Sequence, residues 1–169
     1  MAAIQLRSRR GLLIGLSGAL VLAGCGFQLR KAPEFQFQSI AVPATSSFAN
    51  QVKRNLRATG TVEVVPTERV ADAQAVLEIL AENREAVVIS TNAAGQVREL
   101  QLRLTVRFRV RSKDGRELLA PTEISQSRDI TYNETAALAK EGETALLYRD
   151  MESDIAQQIL RRLAAARPA

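Results

Sequence analysis

The chain has 169 residues, of which 46% are hydrophobic and 24% are charged, a balance typical of one globular domain with a hydrophobic core. It contains no His and a single Cys, at position 25. The lack of His excludes Ser-His-Asp and Cys-His catalysis and removes the usual nitrogen ligand of zinc. The net charge of +5 includes three arginines in the first ten residues; the remaining 20 basic and 18 acidic residues give little support for nucleic-acid binding.

The first 24 residues have the form of an export signal: three arginines without an acid, followed by twelve mostly apolar residues. Twelve helical residues span roughly 18 Å, too short for a hydrocarbon core of roughly 30 Å. Leu-Ala-Gly-Cys at 22–25 resembles the lipobox of bacterial lipoproteins. In that class the cysteine is acylated, and cleavage before it makes it the new N-terminus. We therefore predict a cleaved signal peptide at 1–24, a lipidated Cys25 with a linker to residue 33, and one domain at 34–169.

Anchoring through acyl chains on Cys25 predicts a membrane-attached rather than membrane-spanning protein. Gly26 stands where this class commonly carries Asp for inner-membrane retention, which favours the outer membrane.

The first half of the domain contains one strand and one helix with clear signals. Residues 35–42 alternate apolar and polar side chains, which predicts a strand. Ser46 or Ser47 is suited to cap a helix that Gly60 ends. The apolar stripe of this helix consists of Phe48, Val52 and Leu56. A short β-branched run at 61–65 follows, and the stretch from 67 to 73 has no clear pattern.

The second half predicts a meander of strands and a long helix. Residues 75–91 and 117–132 are extended segments, with turns at 92–95 and 113–116. Pro121 indicates a bulge or a sheet edge. Between the turns, apolar side chains alternate from Leu100 to Val110. From residue 133 or 134 onward, a helical apolar stripe is formed by Leu147, Met151, Ile155, Ile159 and Leu163.

The alternating strand presents arginines on its polar side: Arg103, Arg107, Arg109 and Arg111. Guanidinium groups bind phosphate bidentately, so this surface suits the phosphates of a lipid. The alternative is an exposed face whose arginines pair with Glu85, Glu117 and Glu123 on neighbouring strands. The sequence leaves both alternatives open.

Together these elements predict the α+β class, as a two-layer sandwich of two helices packed on a mostly antiparallel, mixed four-stranded sheet. The segments LAGCGFQLR at 22–30, VKRNLR at 52–57, the hairpin at 95–96, ALAKE at 137–141 and the helix at 150–163 resemble the LptE family, lipopolysaccharide-assembly lipoproteins of the Gram-negative outer membrane. The resemblance extends from the lipobox to the C-terminal helix, and it rests on the order and spacing of these segments.

The resemblance implies a protein that plugs the β-barrel of LptD in a 1:1 complex, helps that barrel assemble and binds the lipid A phosphates of lipopolysaccharide. It implies no reaction and no cofactor. It assigns lipopolysaccharide binding to Lys140. The family's second basic residue, near the hairpin, is replaced here by Ala93 and Ala94, so Arg84, Arg98 or Arg103 are candidates for its role.

Two other functions are compatible with the sequence. One is an independent envelope lipoprotein that binds lipid or scaffolds a different envelope complex. The other is a Ser-Lys hydrolase with Lys140 as its base, although no Ser lies near Lys140 in the chain.

Overall fold

The computed structural model describes residues 32–133 and 137–166, which form one five-stranded sheet with two α-helices on one face. The predicted signal peptide, Cys25 and the linker up to residue 31 lie outside the described residues. The elements in chain order are β1 (Ser39–Ala41), α1 (Ser47–Thr59), β2 (Glu63–Val65), a 3-10 helix (Thr67–Asp72), β3 (Ala75–Thr91), β4 (Val97–Ser112), β5 (Glu117–Thr131) and α2 (Ala137–Ala165).

The strands lie in the order β2-β1-β3-β4-β5. β1 is parallel to both β2 and β3, whereas β3, β4 and β5 form antiparallel pairs. The α+β sandwich is confirmed, but the sheet has five strands instead of the expected four. The additional strand is the β-branched run before Pro66, which pairs with β1 as β2. The first strand is shorter than predicted, because only Ser39–Ala41 has strand neighbours.

α1 begins and ends where the sequence indicates. Ser46 Oγ accepts a hydrogen bond from the Ala49 N–H at 3.0 Å, which satisfies one of the amides left free at a helix start. Gly60 ends the helix with φ +67°, and its N–H donates to the Arg57 carbonyl at 3.2 Å. The predicted stripe of Phe48, Val52 and Leu56 is buried. The helix is therefore held by its caps and by one apolar face.

β4 lies at the centre of the packing. Its alternate residues Leu102, Leu104, Val106, Phe108 and Val110 are fully buried under the helices. We call the other side of the sheet, which carries Arg103, Thr105, Arg107, Arg109 and Arg111, the open face. Gly95 and Gly115 form the two turns with positive φ, as the turn signals predict. β5 is an edge strand, and its register against β4 shifts beside Pro121, so both expectations for that residue are met.

α2 covers the sheet over 29 residues. Met151, Ile155, Ile159 and Leu163 are buried, and Leu147 is half-buried, which confirms the predicted stripe. Each such side chain contributes roughly 1.5–3 kcal/mol when it leaves water. Of the two predicted helix starts, residue 133 is not helical, and residue 134 lies with residues 135 and 136 outside the described residues. Neither helix of the described part is long and apolar enough to cross a membrane.

Candidate functional site

The far ends of β3, β4 and β5 form a groove of about 930 Å³, which we call the hairpin-end groove. The Asn92 side chain organises the hairpin turn beside it: Oδ1 accepts from the amides of Ala94 and Gln96, and Nδ2 donates to Gln96 Oε1. The lining is mostly polar and consists of Ser90, Thr91, Asn92, Gln96, Val97, Arg98, Glu99, Thr131, Tyr132 and Asn133. Hydroxyl, amide and guanidinium groups of this kind suit a polar ligand.

Arg98 is the cation that lines the groove. The Tyr132 N–H donates to the Arg98 carbonyl at 2.8 Å, which ties the end of β5 to the start of β4. The Arg98 side chain is exposed and makes no hydrogen bond or ion pair with a described residue. Its guanidinium donors are therefore available to a ligand.

Lys140 lies in the first turn of α2 and approaches the same end of the sheet. Its Nζ donates to Thr131 Oγ1 at 3.2 Å, and Thr131 lines the groove. A second bond joins Nζ to the Glu143 carboxylate at 2.8 Å, and the lysine side chain is 20% exposed. Lys140 is thus held in place at the groove rim. Glu143 is itself half exposed, so this ion pair is partly screened by water.

The arginines of β4 lie elsewhere, on the open face. Arg109 and Arg111 share one carboxylate, that of Glu78: Arg109 Nε is 2.5 Å from Oε2, and Arg111 donates to Oε1. Burial alone would raise the pKa of Glu78, but the hydrogen bonds from Arg111 and Arg109 outweigh burial and hold that pKa below its usual range. One of the two positive charges of these arginines is therefore balanced by Glu78.

The other two arginines of β4 differ from each other. Arg103 is 3.8 Å from a carboxylate oxygen of Glu85 and donates to Gln101 at 3.0 Å. Arg107 is exposed, lies opposite Glu123 in the β4–β5 register and forms no ion pair with a described residue. Of the acidic partners that the sequence suggests, Glu85 alone makes an ion pair with an arginine on this face.

Arg84, another candidate from the sequence, holds α2 on the sheet. It forms an ion pair with Glu152, whose side chain is 7% exposed, and its guanidinium lies 5.1 Å from the Tyr148 ring centroid. The Tyr148 hydroxyl donates to the Glu85 carbonyl at 2.8 Å. Arg84 therefore lies apart from the groove residues, in a contact between β3 and α2.

Sequence reasoning missed the groove and two acidic anchors, Glu78 and Glu152. The turn at 92–95 was predicted, but the groove also needs Thr131 and Tyr132, which arrive from another strand. Glu78 and Glu152 are 31 and 68 residues from the arginines that they bind, so no local spacing indicates them.

The fold is an α+β sandwich with a polar groove at one end, and the described ranges contain no metal-ligating cluster of His, Cys, Asp or Glu. The sequence profile described as "LptE: Lipopolysaccharide-assembly" matches residues 34–163. The chain belongs to the LptE family. It is thus a non-enzymatic lipopolysaccharide-assembly lipoprotein.

Individual relatives agree with this assignment. The LPS-assembly lipoprotein LptE of Yersinia pestis (strain Pestoides F) is 27% identical over 164 residues, covering 90% of this chain and 73% of that protein. The solution structure of lipoprotein B from Nitrosomonas europaea is 30% identical, with a TM-score of 0.70 over 83% of this chain and 91% of that one. The crystal structure of rare lipoprotein B from Shewanella oneidensis is 27% identical, with a TM-score of 0.64 over 75% and 94%. Lipoproteins of the cell envelope therefore share both its sequence and its fold.

Proposed function

We propose that the protein is anchored to the outer membrane through acylated Cys25, plugs an LptD-type β-barrel in a 1:1 complex and helps that barrel assemble. In this role it binds lipopolysaccharide during insertion into the outer leaflet. Membership of the LptE family and relatives named as LPS-assembly lipoproteins support the proposal.

The observation that carries the proposed lipopolysaccharide binding is that Arg98 and Thr131 line the hairpin-end groove and that Lys140 donates a hydrogen bond to Thr131. A lipid A headgroup consists of sugars and phosphates. Its phosphates require fixed cations, and its sugars require hydroxyl and amide partners. The groove offers both kinds of group, with Arg98 unpaired among the described residues and Lys140 anchored through Thr131. In this proposal Arg98 takes the role of the basic residue that positions 93 and 94 lack.

Three of the four arginines on the open face already have a carboxylate partner. Glu78 binds Arg109 and Arg111, and Glu85 pairs with Arg103, so a lipid phosphate would compete with a carboxylate there, as it would with Glu143 at Lys140. Arg107 is the exception, because none of the described residues pairs with it. We therefore rank Arg98 first, together with Lys140, which the family resemblance assigns to lipopolysaccharide binding; Arg107 comes next, and Arg103 and Arg109 come last.

The test compares binding of purified lipopolysaccharide to the full chain and to Lys140→Gln, Arg98→Gln and the double variant. Arg57→Gln is the matched control, because it removes one exposed charge from α1, away from the groove. Each groove substitution should weaken binding by about tenfold, the value of one charge-assisted hydrogen bond. Unchanged binding by the double variant, with a loss in Arg107→Gln instead, would move the site to the open face.

The barrel partner is tested separately. The tagged, lipidated protein is purified from detergent-solubilised outer membranes, and co-eluting proteins are identified by mass spectrometry. A large β-barrel protein in stoichiometric amount is expected. Recovery of the protein alone, from membranes in which that barrel is abundant, would favour the independent envelope lipoprotein. A Cys25→Ser variant should leave the membrane fraction, because it cannot be acylated.

A further inference from the structure

Arg98 and Lys140 differ in how the protein holds their positive charges. The Arg98 guanidinium makes no hydrogen bond or ion pair with a described residue. Lys140 Nζ instead has two partners, the Thr131 hydroxyl at 3.2 Å and the Glu143 carboxylate at 2.8 Å. The hairpin-end groove therefore has an unpaired cation in its lining and, beside Thr131, a lysine that already has a counter-ion.

The two partners of Lys140 act differently on an incoming anion. The Thr131 hydroxyl is neutral and lines the groove, so its bond holds Nζ at the groove rim without balancing the positive charge. The Glu143 carboxylate does balance that charge. Glu143 lies three positions after Lys140 on α2, a spacing at which side chains on one helix are neighbours. A lipid phosphate that approaches Nζ would be repelled by this carboxylate, so close approach requires Glu143 to give up the ion pair.

Solvent exposure decides which of the two charged side chains moves. The Glu143 side chain is 49% exposed, whereas that of Lys140 is 20% exposed. Glu143 can rotate into water, where its carboxylate is hydrated, and water already screens the ion pair that it gives up. Lys140 has less freedom, because its side chain is mostly covered and Thr131 holds its Nζ. The exchange of a carboxylate for a phosphate therefore needs only the glutamate to move.

We infer that Glu143 is an internal competitor of the lipopolysaccharide phosphate at Lys140. Its carboxylate pairs with the lysine while the groove is empty, leaves when the phosphate binds and returns as the lipid departs. The inference rests on the proposed function, in which lipopolysaccharide is bound only during insertion and has to be released again. A competitor within the protein weakens binding, because the phosphate has to replace an existing ion pair. It also favours release, because the lysine regains a counter-ion when the lipid leaves.

The size of the effect follows from the exposure of the ion pair. An ion pair between partly exposed side chains changes an equilibrium constant by a factor of about 1.5–5. Glu143→Gln keeps the size of the side chain but removes its charge, so lipopolysaccharide should bind about two- to fivefold more tightly. Affinity differences between variants of one site lie mostly in the dissociation rate. The lipid should therefore leave the variant more slowly by a similar factor.

The test measures the dissociation constant and the dissociation rate of purified lipopolysaccharide from the full chain in detergent, at about 0.15 M salt, where exposed charges are screened. Glu141→Gln is the matched control: Glu141 is exposed on the same helix, one residue from Lys140, and has no ion pair with a described residue. It should leave both constants unchanged. Lys140→Gln and the double variant Lys140→Gln, Glu143→Gln complete a double-mutant cycle. Once Lys140 is replaced, Glu143→Gln should have no further effect.

Tighter binding by Glu143→Gln that disappears in the Lys140→Gln background would support the inference. Unchanged or weaker binding by Glu143→Gln would overturn it, and weaker binding would mean that the carboxylate holds the lysine in its binding position. A gain that persists without Lys140, or that Glu141→Gln matches, would also overturn it, because the carboxylate would then act only as a general negative charge. Failure of the proposed site is distinguishable: Lys140→Gln alone would bind as tightly as the wild-type chain, which would overturn both proposals. Far-UV circular dichroism checks that every variant folds.

Discussion

The contact between Arg84 and Glu152 should contribute measurably to the docking of α2. The Glu152 side chain is 7% exposed, so Arg84→Met would leave a carboxylate with little water around it and no cation beside it. A hydrogen bond to a charged group contributes about 1.5–3 kcal/mol. Arg84 is half exposed, so the lower end applies, and an exposed cation–π contact with Tyr148 adds roughly 0.5–1 kcal/mol. We expect a loss of about 2 kcal/mol in the free energy of unfolding.

Urea unfolding followed by circular dichroism measures this loss. The double variant Arg84→Met, Glu152→Met is the decisive comparison, because replacing both partners of a buried pair by apolar side chains is often close to neutral. It should recover most of the stability that Arg84→Met loses. If the double variant is as unstable as the sum of the two single variants, the ion pair does not carry the contact, and the packing of the arginine stem does.

Four further substitutions have expected results. Phe108→Ala should lower the free energy of unfolding by about 3–5 kcal/mol in urea titrations, because Phe108 is fully buried in β4. The fold lowers the pKa of Glu78, so its carboxylate stabilises the protein above about pH 4.3, the usual pKa of Glu. This stabilisation is lost as the pH falls through the pKa in the folded protein. Glu78→Gln should therefore make the free energy of unfolding depend less on pH in the acidic range. Gly60→Ala should destabilise the protein by about 1 kcal/mol, because φ there is +67°, whereas Gly142→Ala in α2, where an added Cβ meets no atom within 4 Å, should stabilise it by a similar amount in thermal melts.

The elements with local signals could be predicted from the sequence. α1 was recognisable because Ser46, Gly60 and a four-residue apolar spacing all lie within fifteen residues. β4 was recognisable because its alternation persists over six apolar positions, every one of which faces the helices or the rim of the core. Such patterns predict elements well because one buried face of a helix or strand requires apolar residues at the regular spacing of that element.

Features that depend on distant residues could not be predicted. β1 and β2 are three residues each, and their parallel pairing joins two segments that α1 separates in the chain. The hairpin-end groove was equally inaccessible: Arg98 and Thr131 line it together because β5 returns along β4, and Lys140 reaches Thr131 from α2. The role of Arg84 also required the structure, because its partner Glu152 lies in the last element.

The position of α2 in the chain determines how long the core face of the sheet stays exposed during synthesis and export. α2 follows the three long strands in the chain, yet it covers the buried row of β4. Until it docks, a nascent or translocating chain presents Leu102, Leu104, Val106 and Phe108 to its surroundings, on a meander of strands that forms from neighbouring residues. Transiently exposed apolar strands of this kind aggregate readily. We therefore expect the buried row of β4 to need shielding from solvent until the 29 residues of α2 close over the sheet.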